Sequence, residues 1–186
     1  DTLRGGPGDD VLRGEDGTDD LQGGDGDDLL IGGDGPDTID GGAGIDTVSY
    51  AESDEGVNVN LATGTASGGY AVGEVITNVE NVIGTDYCDE LVGNAEGNVL
   101  IGGYGNDNLQ GGPGNDVLQG GAGADYLDGG EGWDKVSYED SASGVTIDLA
   151  AGTGKFGHAE GDTFVNIEHV VGSRYNDRFL VGNSSA

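Results

Sequence analysis

A nine-residue period constrains this chain more than any other feature. From Gly5 the sequence divides without a gap into GGPGDDVLR, GEDGTDDLQ, GGDGDDLLI, GGDGPDTID and GGAGIDTVS, ending at residue 49. The period returns at residue 84 as GTDYCDELV, GNAEGNVLI, GGYGNDNLQ, GGPGNDVLQ, GGAGADYLD and GGEGWDKVS, ending at 137. The sixth position is Asp in every block but one, where it is Asn98, and the eighth is always Leu, Ile or Val. A longer period lies over this one. A shift of 88 residues places the segment 41–83 on 129–171 without a gap. The chain is therefore read as two copies of one unit, each an array followed by a spacer. The arrays are 1–49 and 84–137, and the spacers are 50–83 and 138–186, the latter including the start of a further repeat.

Within a block, positions one to six are rich in Gly and Asp and read as a tight turn. Pro7, Pro36 and Pro113 all fall there, where no ladder N–H is demanded. Positions seven to nine read as a three-residue strand with only the eighth residue facing inward. One block cannot bury its single aliphatic side chain, but stacked blocks can. Two blocks per coil give about 18 residues per turn of a solenoid, with coils about 4.8 Å apart. Each Asp then lies over the Asp two blocks away: Asp10 on Asp28, Asp19 on Asp37, Asp28 on Asp46, Asp107 on Asp125 and Asp116 on Asp134. Stacked carboxylates repel unless a cation lies between them. Hard oxygen ligands favour Ca²⁺, and glycine-rich turns can aim carbonyls at it.

Composition narrows the partners. The chain of 186 residues has 36 Asp and Glu against 6 Lys and Arg, a formal charge of −30. Nucleic acid is excluded as a partner, because phosphate contacts need Lys and Arg. An anionic membrane surface would repel the chain, and no apolar run approaches the ~20 residues of a span. One Cys forbids an internal disulfide. From the absence of Met, Asp1 is expected to be an internal cut from a longer precursor.

The pattern GGxGxDxUx resembles the RTX (repeats-in-toxin, hemolysin-type) calcium-binding nonapeptide repeat. The spacers, with DTVSY, GVNVNLATG and NVENVIGT, are similar to segments between such arrays in large secreted bacterial proteins. The resemblance implies an all-β fold, a parallel β-roll: a right-handed β-solenoid with two nonapeptide blocks per coil, in two arrays with ordered β-rich spacers. It also implies six oxygen ligands per ion. One turn gives its Asp and the carbonyls of positions two and four; the turn two blocks on gives its Asp and the carbonyls of positions one and three. Carried over, Gly6, Gly8 and Asp10 face Gly23, Asp25 and Asp28, while Glu15, Gly17 and Asp19 face Gly32, Asp34 and Asp37. Gly24, Gly26 and Asp28 face Gly41, Ala43 and Asp46, with Asp46 closing the first array. In the second array Gly103, Gly105 and Asp107 face Gly120, Ala122 and Asp125, and Gly112, Gly114 and Asp116 face Gly129, Glu131 and Asp134. Asp89 and Gly102 belong to a further site with Asp107. Roughly five to eight calcium ions are implied.

Departures mark weak places. Asn98 is uncharged and its turn GNAEGN lacks glycines at positions two and four, so the site with Asp116 is expected to be weak or empty. Tyr87 stands where Gly is expected beside Asp89, and Asp1 has no turn of its own to share with Asp19. Cys88 reads as a small turn filler. Tyr50 and Tyr138, which follow the last block of each array, read as caps over the open ends of the rolls, and Trp133 as a surface turn residue. In the spacers, VNVNL and VTIDL read as half-buried strands and GGYAVGE and FGHAEGD as turns. ITNVENVIG and FVNIEHVVG fit a short helix or an enlarged coil, with the coil favoured.

No HExxH or GxSxG motif is present, and a catalytic or zinc role for His158 and His169 lacks support from the first copy, so no enzyme is expected. The function implied is a calcium-binding module of a larger secreted, extracellular or cell-surface bacterial protein. It would fold on binding Ca²⁺ after passing the type I secretion machinery. The alternative is a module that binds a polysaccharide or cell surface.

Overall fold

The computed structural model describes residues 1–180. The last six residues of the expected second spacer lie outside them. The first array forms β1 (Thr2–Pro7), β2 (Val11–Arg13), β3 (Asp20–Asp25), β4 (Leu29–Ile31), β5 (Thr38–Ala43) and β6 (Thr47–Ser49). Odd strands pair with odd and even with even, all parallel, at a register of two blocks: Leu3 on Leu21, Leu21 on Ile39, Leu12 on Leu30 and Leu30 on Val48. The result is the expected roll, two parallel sheets with one short strand from each block. The second array repeats it in β11 (Glu90–Val92), β12 (Val99–Tyr104), β13 (Asn108–Gly114), β14 (Val117–Ala122), β15 (Tyr126–Gly132) and β16 (Lys135–Ser137).

Position-eight side chains fill the space between the sheets. From Leu21 to Val48 and from Leu91 to Val136 every one of them is fully buried. Each is worth about 1.5–3 kcal/mol against exposure. A coil has only two of them, so the core is thin.

The three-residue strand expected from each block is too short for much of the array. In the larger sheet β3 and β5 have six residues and β13 and β15 seven. Positions one to three continue the parallel ladder, Gly6 on Gly24 and Gly112 on Gly130, because successive turns superpose as closely as the strands. That superposition requires glycine. At Gly26, with φ of 131°, a Cβ would sit 2.5 Å from the Gly8 carbonyl oxygen of the preceding coil.

The first spacer forms β7 (Asn58–Asn60), β8 (Thr65–Ser67), β9 (Val75–Thr77) and β10 (Asn81–Ile83). VNVNL contributes β7, with Val57 and Val59 buried, and GGYAVGE holds a single 3-10 turn at Gly69–Ala71. ITNVENVIG is strand, turn and strand, the enlarged coil rather than a helix. In the smaller sheet β10 follows β6 directly and then meets β12, so the spacer costs that sheet one ordinary strand. In the larger sheet β9 pairs with β5, β8 runs antiparallel to both β9 and β7, and β7 receives β11. The second copy reproduces this with β17 (Thr146–Asp148), β18 (Thr153–Lys155), β19 (Thr163–Val165), β20 (His169–Val171) and β21 (Arg178–Leu180). Among the described residues the larger sheet thus has 13 strands and the smaller 8, and both run through the two copies.

Tyr50 and Tyr138 do not cap open ends. They are 3% and 1% exposed, because the spacer coil continues the stack over them. Trp133 is on the surface, 67% exposed.

Among the described residues four other than glycine have positive φ: Glu15, Asn78, Phe156 and Asn166. Glu15 has φ of 70° at position two of its turn, where most blocks have Gly, and its side chain is exposed. The left-handed region costs a residue with a Cβ about 1–2 kcal/mol. Glu15→Gly is therefore expected to stabilise the folded chain by about 1 kcal/mol, less the entropy that glycine adds to the unfolded state. Urea unfolding at fixed calcium checks this, and the midpoint should rise. An unchanged or lower midpoint would show that the strain at Glu15 is relieved elsewhere.

Candidate metal centre

Each position-six Asp stands at the corner where a turn enters a strand, and from Asp19 to Asp134 stacking removes it from solvent. Asp28, Asp37, Asp107, Asp116, Asp125 and Asp134 are at most 2% exposed, and Asp46 is fully buried. The two carboxylate oxygens have different surroundings. Oδ1 accepts the backbone N–H of the Asp one coil earlier: Asp10 N–H donates to Asp28 at 2.8 Å, Asp19 to Asp37 at 2.9 Å and Asp28 to Asp46 at 2.8 Å. Asp107 donates in the same way to Asp125 at 2.9 Å and Asp116 to Asp134 at 2.8 Å. The five expected pairs are therefore neighbours. Oδ2 of Asp10, Asp19, Asp28, Asp37, Asp46, Asp107, Asp116, Asp125 and Asp134 is buried and accepts no hydrogen bond.

These oxygens point into a cradle lined by backbone carbonyls. A Cβ on Gly5 would lie 2.6 Å from Asp10 Oδ2 and 2.6 Å from the Gly23 carbonyl. Gly14 stands in the same way beside Asp19 Oδ2 and the Gly32 carbonyl, and Gly23 beside Asp28 Oδ2 and that of Gly41. In the second array Gly102 faces Asp107 Oδ2 and the Gly120 carbonyl, and Gly111 faces Asp116 Oδ2 and that of Gly129. A side chain would fill this space, which explains glycine at position one. Position-three carbonyls link successive turns. Those of Asp25, Asp34, Ala43 and Ala122 accept the N–H of Gly8, Gly17, Gly26 and Gly105 at 2.6–3.0 Å, leaving one lone pair each. Glu131 stands opposite Pro113 in the same register. Position-two and position-four carbonyls, such as those of Gly6, Gly8, Gly24, Gly103 and Gly112, face the glycines of the next turn.

Among the described residues no three His, Cys, Asp or Glu side chains converge as a metal group. The donor set is two carboxylates and several carbonyls, all hard oxygen. It fits a Ca²⁺ ion, which takes six to eight oxygens in flexible geometry, and it suits soft metals poorly.

Burial without a counter-charge disfavours the carboxylates' charged forms. It pushes Asp107 up to about 7 and Asp116 up to about 6, with the neighbouring ladder carboxylates adding to the shift. Asp37, Asp46, Asp125 and Asp134 are raised for the same reason.

The irregular turns differ in kind. Asn98 is satisfied within the protein. Its Oδ1 accepts the Asn94 N–H at 2.8 Å, and its Nδ2 donates to the Glu80 carbonyl at 2.7 Å. Asp89 is also satisfied. Thr85 N–H donates to Oδ2 at 2.6 Å, and Thr85 Oγ1 and Val57 N–H donate to Oδ1 at 3.0 and 2.8 Å.

Asp46 does not end its ladder. Its N–H donates to Glu80 Oε2 at 2.9 Å, as Asp134 N–H does to Glu168. The carbonyls of Asn78 and Asn166 stand beside Gly41 and Gly129, where a position-one glycine carbonyl stands elsewhere. Asp125 N–H donates to Asp162 Oδ1 at 2.9 Å, and Tyr138 OH to Asp162 Oδ2 at 2.6 Å. Tyr50 OH donates to Glu74 Oε2. These spacer groups have no nonapeptide around them. The signal that marks them is the 88-residue shift, which pairs Glu74 with Asp162, Asn78 with Asn166 and Glu80 with Glu168. A second, exposed ladder runs along position five. Asp27 N–H donates to Asp9, Ile45 to Asp27, Ala124 to Asn106 and Trp133 to Asn115, and Cys88 Sγ accepts the Asn106 N–H at 3.3 Å.

No helix among the described residues is long and apolar enough to cross a membrane. No curated protein matches the chain. The family model of the RTX calcium-binding nonapeptide repeat matches it four times, at residues 1–30, 14–48, 83–118 and 110–140. The matches cover both arrays and more than half of the chain, and with the roll and its paired carboxylates they place this protein in the family of RTX calcium-binding nonapeptide repeat proteins.

Proposed function

We propose that the chain is a calcium-dependent folding module of a larger bacterial protein, exported through the type I secretion machinery and working outside the cell or on its surface. One observation carries this reading: the buried row of carboxylate oxygens that accept no hydrogen bond. An unpaired buried charge costs several kcal/mol, and the row repeats that cost in successive coils. The thin core cannot offset it. Without a cation the carboxylates and a net charge of −30 keep the chain open, a state suited to threading through an export channel.

Ions would be held by the pairs Asp10–Asp28, Asp19–Asp37, Asp28–Asp46, Asp107–Asp125 and Asp116–Asp134, with carbonyls of the two turns between which each lies. Bound calcium supplies two positive charges per site and neutralises the ladder. Because the site exists only in the stacked turns, its binding free energy is folding free energy. Extracellular calcium modules bind at about 10⁻⁴–10⁻³ M, so low cytoplasmic calcium leaves the chain unfolded and the exterior folds it. A carbohydrate-binding reading has less support, since of the two aromatic pairs repeated in both copies Tyr50 and Tyr138 are buried, and only Tyr87 and Tyr175 are exposed.

Calcium-free chain is expected to be disordered by circular dichroism, and millimolar Ca²⁺ is expected to produce β signal. Magnesium should substitute poorly, since it demands a tight octahedron and sheds water reluctantly. Full β structure in excess chelator at neutral pH would sink the reading.

The pH dependence has a definite sign. Asp107 and Asp116, raised to about 7 and about 6, bind more protons folded than unfolded between their ordinary value near 4 and those raised values. The calcium-free fold is therefore least unstable below about pH 4 and loses stability as pH rises through 7. Protons and calcium compete for the same oxygens. The extra stability conferred by saturating Ca²⁺ should shrink as pH is lowered from about 8 to about 5. Circular dichroism with and without calcium at several pH values follows it, as the β signal that calcium adds; an increment that stays constant would remove these carboxylates from the ligand set.

A further inference from the structure

We propose that the first spacer carries a cation site of its own, built from Asp37 of the last turn on that side and Glu74 of the spacer. The inference rests on the reading that the Asp ladder takes calcium, and adds a site outside the nonapeptide turns. Both side chains are 2% exposed. Asp37 Oδ2 and Glu74 Oε1 are both buried without a hydrogen-bond partner, and both lie against the same point. A Cβ on Gly32 would be 2.7 Å from Glu74 Oε1 and closer still to Asp37 Oδ2.

The comparison with regular turns shows what Glu74 replaces. Beside Gly14 and Gly23 the orphaned Asp oxygen faces the carbonyl of the next coil's position-one glycine. At Gly32 the next block is absent, because the chain leaves β6 into the spacer and returns only at β9. Glu74 precedes β9 directly, and Val75 N–H donates to the Asp37 carbonyl at 2.9 Å, as the residue after a ladder Asp does elsewhere. Glu74 thus occupies the place of the next ladder carboxylate. Its Oε1 stands where the missing carbonyl would be.

Tyr50 fixes the arrangement. Its OH donates to Glu74 Oε2, which leaves Oε1 directed at Asp37. Two buried carboxylates facing one point suit a hard divalent cation.

The second copy differs. Asp162, one methylene shorter, has both oxygens in use, Oδ1 with Asp125 N–H and Oδ2 with Tyr138 OH. The site therefore belongs to the first spacer.

The test is the number of calcium ions bound by the full chain, from calorimetry and metal analysis of unaltered protein, Glu74→Gln and Asp162→Asn. In Glu74→Gln the amide oxygen keeps the Tyr50 bond and turns a donor NH₂ toward Asp37, where it cannot ligate. The expected result is one ion fewer in Glu74→Gln and no change in Asp162→Asn. An unchanged count in Glu74→Gln, or an equal loss in both, would overturn the proposal. If the unaltered chain binds no calcium, the folding-module reading fails instead, so the two failures are separable. Should Glu74→Gln not reach the β signal of the unaltered chain, a calcium-loaded crystal of the unaltered chain decides. An anomalous peak within about 2.3–2.6 Å of Asp37 Oδ2 and Glu74 Oε1 is expected; no peak there overturns the proposal.

Discussion

Each coil of this protein buries a carboxylate directly beneath the carboxylate of the next. The backbone hydrogen bond to Oδ1 ties coil to coil, and its geometry leaves Oδ2 inside the stack without a donor. In water that oxygen would be solvated, and in an ordinary core an apolar group would replace it. Here the same interaction that sets the spacing of the coils creates the electrostatic cost that opposes stacking. A divalent cation is the simplest agent that removes the cost, because one ion can serve two successive carboxylates. On the proposed reading, stability and ion binding are one quantity in this fold rather than two that happen to be coupled.

Glycine and the thin core follow from the same constraint. The turns must approach as closely as paired strands for the carboxylates to share a site. A Cβ at position one would occupy the space beside Oδ2, and a Cβ at position four would strike the carbonyl below, as at Gly26. Turns that carry no side chain inward contribute no apolar area, which leaves one aliphatic residue per block as the core. Such a core holds the sheets in register but buries little apolar surface per coil to set against buried charge. Nearest-neighbour stacking then makes the array quasi-one-dimensional, so a defect such as the turn of Asn98 is felt mainly by adjacent coils.

The roll was legible because its chemistry recurs at a fixed interval. Asp10, Asp28 and Asp46 could be stacked from sequence by the two-block register alone, and Leu12, Leu30 and Val48 placed inside by the same count. Strand length was not legible, because Gly-Gly pairs read as turn while in the stack they continue the ladder. Tyr50 and Tyr138 were misplaced for a related reason: an array viewed alone has an open end, whereas the spacer supplies the next coil. Glu74, Glu80 and Asn78 escaped because their role depends on strand pairing across the whole spacer, and no local period reports it. The internal duplication could have exposed them, since an acid is kept at the matching positions 162 and 168 and Asn at 166.

The spacers show how a solenoid absorbs an insertion without losing its ladder. Length can be added only at a corner, because both sheets must keep their parallel neighbours. The smaller sheet accepts a single strand, β10, between β6 and β12. All the excess goes to the larger sheet, where the antiparallel β8 lets the chain reverse twice and re-enter the stack as β9. At the point of re-entry the carboxylate needed to receive Asp46 N–H can no longer come from a nonapeptide, and a longer side chain, Glu80, reaches it from a shorter turn. The Asn78 carbonyl takes the position of the missing glycine carbonyl at the cost of a left-handed backbone, which Asn tolerates better than most residues. Glu168 and Asn166 repeat the solution in the second copy. The interruption in sequence is thus bridged in space by the same kind of contact that it interrupts, and the acidic row on the side of the smaller sheet passes from the first array through Glu80 to Asn98 and the second.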